Sequence, residues 1–141
     1  MQIKINELAP LIKERLQKPL PGNDAHQITR IKTKSEITFS NTEETATPAA
    51  VLILLFPSGN EIEFFLTKRT EDVEHHKGQI SLPGGLKEDD ESLKQTAIRE
   101  TKEEVGIDPN TIMNLGSLTP FFIPVTGYIV HPFLGWCKEK P

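Results

Sequence analysis

Glu100, Glu103 and Glu104 stand at i, i+3 and i+4, so on a helix of 3.6 residues per turn they crowd one face. Like charges so placed repel by about 0.2–0.5 kcal/mol per pair. A hard divalent cation such as Mg2+ or Mn2+ prefers carboxylate and carbonyl oxygens; it would offset that repulsion and could hold a pyrophosphate at the same time. Arg99 lies one turn before Glu103 and can pair with it, or with Glu91 in the preceding loop. A planar guanidinium that fixes a carboxylate keeps such a site in shape without consuming a ligand position. Alone, three glutamates on a helix read as a solvated acidic face. The residues around them decide between the two readings.

The flanks specify the helix first. Ser92 followed three residues later by Gln95 is a capping-box pattern, and Gly106 is placed to end the helix in the left-handed conformation. Leu93, Ala97, Thr101 and Val105 recur every four residues and form a seam able to pack on a sheet while the carboxylates face elsewhere.

The spacing then becomes specific. Gly85, five residues, Glu91, seven residues, Arg99-Glu100, two residues, Glu103-Glu104, one residue, Gly106 and an apolar Ile107 resemble the signature of the Nudix hydrolases. Seven specified residue types coincide at one start point with a chance of roughly one in 10^8 to 10^9 at average residue usage. One departure falls at Thr101, where that pattern asks for a bulky aliphatic; threonine is β-branched and close to valine in size.

The resemblance implies that Glu100, Glu103 and Glu104 bind divalent ions, Mg2+ or Mn2+, that the Gly84 carbonyl adds a ligand, and that Arg99, supported by Glu91, orients the glutamates. It implies attack of an activated water on a phosphorus of a diphosphate joined to another moiety. The general base is left open between Glu103 and Glu104.

Just upstream, Leu66-Thr67-Lys68-Arg69-Thr70, then Gly78 and Pro83-Gly84-Gly85, resembles the extra motif of coenzyme A pyrophosphatases within the family. Thr70 replaces a small serine or alanine, Glu74 an arginine, and Leu82 a phenylalanine. An anion at Glu74 opposes the phosphates of coenzyme A, while His75, His76 and Lys77 can restore positive charge. On this resemblance Arg69, Lys77, Gly84 and Gly85 are expected to contact substrate. The expected reaction converts coenzyme A or an acyl-coenzyme A to 3′,5′-ADP and the corresponding 4′-phosphopantetheine. The alternatives are ADP-ribose or another nucleoside diphosphate derivative as substrate, and a non-catalytic nucleotide-sensing module of the same family. A sensor has no need of three mutually repelling glutamates.

Composition narrows the partners. The chain has 141 residues, a formal charge of −4 and no run of lysine or arginine, which speaks against general nucleic-acid binding. No stretch of about 20 apolar residues is present, and Met-Gln-Ile-Lys-Ile-Asn does not read as a signal peptide. Cys137 is the only cysteine, so no intrachain disulfide can form, and a cytoplasmic location is expected. Cys137 is expected to pack rather than react.

Several elements must position the acidic helix. An amphipathic helix is expected over Asn6–Leu16, with Leu8, Leu11, Ile12 and Leu16 on one side, followed by an extended arm from Gln17 to Pro48. The compact domain is expected over residues 49–141. Ala49–Phe56 reads as a strand, Pro57-Ser58-Gly59-Asn60 as a turn, and Glu61–Arg69 as its hairpin partner. Gln79–Leu82 reads as a short strand entering the Pro83-Gly84-Gly85 turn. Leu115–Ile123 and Tyr128–Cys137 read as two further strands. Tyr128, Trp136, His131, Phe121 and Phe122 are assigned no role beyond core or edge.

The fold expected is α+β, and the resemblance implies an α/β/α sandwich with a mixed sheet. It also implies a second large helix after the last strand, which the sequence to Pro141 does not contain. Either the sequence is therefore expected to be part of a longer protein, or a partner such as a second copy of the chain is expected to cover the exposed sheet face, since an uncovered apolar face invites association.

Overall fold

The computed structural model describes residues 5–29, 40–68 and 80–141. Its centre is β1, Thr47–Ser58, in which Ala50, Leu52, Leu54 and Phe56 alternate to one face and are nearly or fully buried. Period-two alternation of this kind gives a strand one apolar face, each large side chain contributing about 1.5–3 kcal/mol on burial. Strand β2, Glu61–Phe64, pairs antiparallel with β1, and β8, Tyr128–Trp136, pairs with it in parallel from Thr47↔Tyr128 to Leu55↔Trp136. Strands β6, Met113–Ser117, and β7, Phe121–Ile123, lie antiparallel to β8, and β5, Gly84–Leu86, lies antiparallel to the start of β1. The sheet is thus mixed and six-stranded. A separate pair joins β3, Thr67–Lys68, to β4, Ile80–Ser81.

Helix α3, Leu93–Val105, covers one face. Ala97 and Thr101 are fully buried, with Leu93 and Val105 packed beside them on the β1 core and on Ile107 and Cys137. Thr101 enters this apolar seam without an unsatisfied hydroxyl, because its Oγ1 donates to the Ala97 carbonyl at 2.7 Å. Both expected caps are formed. Ser92 Oγ accepts from Gln95 N while Gln95 Oε1 accepts from Ser92 N at 2.8 Å, and Gly106 ends the helix at φ 76°.

The second face differs from expectation. Helix α1, Ile5–Leu16, lies across it, with Ala9, Ile12 and Leu16 against Leu115, Trp136, Leu55, Ile62 and Leu134. The stripe that docks therefore includes Ala9, whereas Leu11, expected on it, is 52% exposed. The contact is close at Gly116, at a bulge between β6 and β8, where an added Cβ would fall 2.9 Å from a Leu16 methyl. The result is an α/β/α sandwich whose second layer comes from the N-terminal side.

Other boundaries shift for identifiable reasons. The expected extended arm contains α2, Gly22–Thr29, whose His26 ring meets Phe121 edge-on at 5.9 Å. β1 runs through Pro57 to Ser58, and the hairpin turn is only Gly59-Asn60, with Gly59 at φ 60°. Proline is tolerated because Pro57 pairs Ile62 one step from the turn-closing Ser58↔Glu61 pair, so its missing N–H faces away from β2. The partner strand ends at Phe64 rather than Arg69, since Thr67 and Lys68 leave to pair with Ser81 and Ile80. Gly84-Gly85, expected as a turn, are part of β5, and the strand expected over Leu115–Ile123 divides into β6 and β7. Trp136 is a core residue.

Candidate active site

The acidic loop between β5 and α3 and the first three turns of α3 carry the site. The Glu91 carboxylate and the Arg99 guanidinium meet in a two-point contact, Nη2 to Oε1 at 2.8 Å and Nε to Oε2 at 3.1 Å. Arg99 Nη1 then donates to Glu100 at 2.8 Å and to Glu103 at 3.3 Å, and Nη2 donates to the Leu86 carbonyl at 3.2 Å. One guanidinium therefore joins the end of β5, the loop and two of the three helix carboxylates. The sequence left the partner open between Glu91 and Glu103; the structure gives Arg99 both, and Glu100 as well.

The electrostatics follow this geometry. Hydrogen bonding to Arg99, then to the Glu88 N–H, holds the Glu91 carboxyl down at about 2. The same pairing, with Glu91 first and Glu100 after it, pushes the Arg99 guanidinium still further up. Glu91 and Glu100 are 14% and 18% exposed, whereas Glu103 is 57% exposed, so the pair nearest the sheet is the better shielded. Glu104 is exposed on the adjoining helix position.

Gly85 lies beneath Glu100. A Cβ on Gly85 would collide with the Glu100 carboxylate, and one on Gly84 would collide with the backbone of Ala50 and Val51. The two glycines thus do different things: Gly84 lets β5 approach β1, and Gly85 leaves room for a carboxylate over the strand. In the β5–β1 ladder Leu52 N donates to Pro83 O, and Lys87 N to Pro48 O. Alternation then turns the Gly84 and Leu86 carbonyls away from β1 along the same edge. Leu86 O is taken by Arg99.

The donor chemistry suits a hard cation: carboxylate oxygens on one helix face, beside an outward-turned backbone carbonyl. Among the described residues no three His, Cys, Asp or Glu side chains close on one ion position, because Glu100 and Glu103 are turned onto Arg99. Arg69 and Lys77, expected to contact substrate, lie outside the described residues, as do Thr70, Glu74, His75, His76 and Gly78. The sequence reading missed Lys87, whose ammonium donates to the Glu88 and Asp89 carbonyls at 3.0 and 3.2 Å. The unbroken acidic run from Glu88 to Glu91 was the signal that a counter-charge was needed nearby.

An α/β/α sandwich with a mixed sheet, carrying a carboxylate-arginine network where a short strand feeds a helix, defines the class. Residues 46–139 match the family model of the NUDIX domain, and the chain belongs to the Nudix family. Nudix hydrolase 15, mitochondrial, of Arabidopsis thaliana is 42% identical over 90 residues, covering 57% of this chain and 32% of the relative. The peroxisomal coenzyme A diphosphatase ndx-8 of Caenorhabditis elegans is 36% identical over 97 residues, covering 66% of this chain and 41% of the relative. The chain thus spans about a third to two fifths of the length of these curated relatives. The crystal structure of C. elegans Ap4A hydrolase superposes with a TM-score of 0.55 at 26% identity, covering 67% of this chain and 70% of that one.

Proposed function

We propose that the chain hydrolyses a diphosphate linkage in a nucleotide derivative, with coenzyme A or an acyl-coenzyme A as the substrate, in the presence of Mg2+ or Mn2+. The observation that carries the hydrolase reading is the single guanidinium of Arg99 holding Glu91, Glu100 and Glu103 beside the Gly84-Gly85 strand. Glu100, Glu103 and Glu104, with the Gly84 carbonyl, are the groups we assign to the metal. A bound divalent ion there would acidify water and neutralise charge on phosphate oxygens. Arg99 keeps two of the carboxylates in place, and Glu91 keeps Arg99 in place. Gly85 admits the Glu100 carboxylate.

Coenzyme A is favoured by the Leu66–Thr70 and Pro83–Gly85 pattern and by the relative named a coenzyme A diphosphatase. Arg69 and Lys77 are the substrate contacts we assign on that pattern. ADP-ribose or another nucleoside diphosphate derivative is the second reading, favoured by the acidic Glu74 where the pattern has arginine. The non-catalytic sensor is disfavoured by retention of all three helix glutamates.

The homodimer inferred from an uncovered sheet face loses that basis, because α1 lies on the face. Among the described residues no helix is long and apolar enough to cross a membrane. The cytoplasmic location rests on the lone, buried Cys137 thiol alone, and the two curated relatives carry mitochondrial and peroxisomal designations.

The test is a substrate panel. The chain would be incubated with Mg2+ or Mn2+ and, separately, coenzyme A, acetyl-coenzyme A, ADP-ribose, NADH and a diadenosine polyphosphate, with products read by mass spectrometry. Release of 3′,5′-ADP from coenzyme A supports the reading. Turnover of ADP-ribose alone would replace the substrate, and turnover of nothing would favour the sensor.

A further inference from the structure

Lys87 sits where the sheet ends and the acidic loop begins. Its N–H donates to the Pro48 carbonyl at 3.0 Å, so its main chain is fixed to β1. Its half-exposed side chain turns along the loop, and Nζ donates to the carbonyls of Glu88 at 3.0 Å and Asp89 at 3.2 Å. Beyond it come four consecutive carboxylates, Glu88, Asp89, Asp90 and Glu91, lining with Lys87 an open cavity of about 620 Å³. Such a run favours an extended, solvated loop, since neighbouring like charges separate when nothing holds them. Here the loop is instead folded back on itself. Glu88 N donates to Glu91 Oε1 at 3.0 Å, and Glu91 N approaches Glu88 O at 3.3 Å.

From this geometry we infer that Lys87 is a positioning residue that clasps the acidic loop and thereby sets the cation affinity of the glutamate face; the inference rests on the hydrolase reading above. The chain of contacts is continuous. Lys87 fixes the backbone of Glu88 and Asp89, Glu88 fixes the Glu91 carboxylate, Glu91 fixes Arg99, and Arg99 holds Glu100 and Glu103. Arg99 clasps the same loop at its far end through the Glu91 carboxylate and also reaches back to its start at the Leu86 carbonyl. Lys87 and Arg99 are therefore two posts with the loop strung between them. Lys87 Nζ is held by the Glu88 and Asp89 carbonyls, whereas Glu100 and Glu103 are held by Arg99, so its action on those carboxylates runs through the loop.

The clasp and simple electrostatics act in opposite directions on cation binding. Removing an ammonium from an acidic region raises cation attraction on charge grounds alone. Removing a clasp loosens the support of the ligands, an effect worth about 10–100-fold in metal affinity where outer partners have been removed elsewhere.

The experiment is titration of the metal-free chain with Mn2+, followed by electron paramagnetic resonance, for wild type, Lys87→Met and Lys87→Arg. It is accompanied by amide hydrogen exchange without metal and by thermal unfolding to confirm that each variant is folded. The clasp predicts Mn2+ binding about 10-fold weaker in Lys87→Met, faster exchange at the Glu88 and Glu91 amides, and recovery of both in Lys87→Arg, which keeps charge and donors. Equal or tighter Mn2+ binding in Lys87→Met would overturn it, as would unchanged exchange at those amides. Should Lys87→Met fail to fold, Lys87→Leu, which likewise has no donor, takes its place with the same outcomes. A wild-type chain that bound no Mn2+ would overturn the hydrolase reading, and the metal-free exchange measurement would still decide the clasp.

Discussion

The Arg99 guanidinium, halfway along helix α3, grips the Glu91 carboxylate at the end of the acidic loop by two hydrogen bonds of 2.8 and 3.1 Å. The fork geometry is specific to arginine; a lysine ammonium offers one point charge on a flexible stem. Arg99→Lys should therefore keep the charge and lose the alignment of Glu100 and Glu103. We expect catalytic efficiency to fall by about 10–100-fold with little change in unfolding temperature, measured by steady-state kinetics and thermal denaturation.

The same contact makes stability depend on acid. Glu91 is held at about 2 against an ordinary value of 4.5, so the folded state binds its proton less readily than the unfolded chain does. Its stabilisation is fully present above about pH 4.5 and is lost as pH falls toward 2. Glu91→Gln should be less stable than wild type at neutral pH, and the difference should narrow across that window. Denaturant unfolding of both proteins at a series of pH values checks this, and a constant gap would contradict it.

Gly84 and Gly85 separate structure from chemistry. A methyl at Gly84 meets the β1 backbone, which cannot move without opening the sheet, so Gly84→Ala should cost about 1–3 kcal/mol of stability. A methyl at Gly85 meets the end of the Glu100 side chain, which can swing aside. Gly85→Ala should remain within about 1 kcal/mol of wild type while losing most of its activity. Paired denaturation and activity measurements on the two variants separate the effects.

Thr101 departs from the aliphatic residue of the Nudix pattern, yet it is fully buried and bonds only to its own helix at Ala97 O. Replacement by valine removes a hydroxyl whose acceptor is already a helix carbonyl, so no buried partner is left stranded. Thr101→Val should be neutral or stabilising by up to about 1 kcal/mol, with unchanged kinetics.

What the sequence made legible was local. The capping box at Ser92 and Gln95, the stop at Gly106 and the carboxylate spacing on α3 are fixed by neighbours within a turn or two, and the structure has both caps as expected. The α1 cover was not legible as such, because which stripe of an amphipathic helix docks depends on the surface it meets. Leu16 finds the bulge at Gly116, and Ala9 turns inward where Leu11 looked the better candidate. The early end of β2 depends on Thr67 finding Ser81, fourteen residues away. Lys87 was missed because its role rests on the direction of a flexible side chain, which spacing does not encode.

The α1 cover also gives a measurement of its own. Leu16→Ala removes a half-buried side chain from the surface around Leu115 and Trp136 and should cost about 1–2 kcal/mol. The Trp136 fluorescence should shift to longer wavelength as the indole gains water, and an unchanged emission would show that α1 does not shield it.

The central claim is that Glu100, Glu103 and Glu104 hold the metal that supports hydrolysis. Its most direct test is the rate of 3′,5′-ADP release from coenzyme A across a Mg2+ titration, in wild type and in Glu103→Gln and Glu104→Gln. The account predicts metal-dependent turnover in wild type and a loss of about 100-fold or more in each variant, with the fold retained. Turnover that needs no metal, or that survives both substitutions, would contradict it.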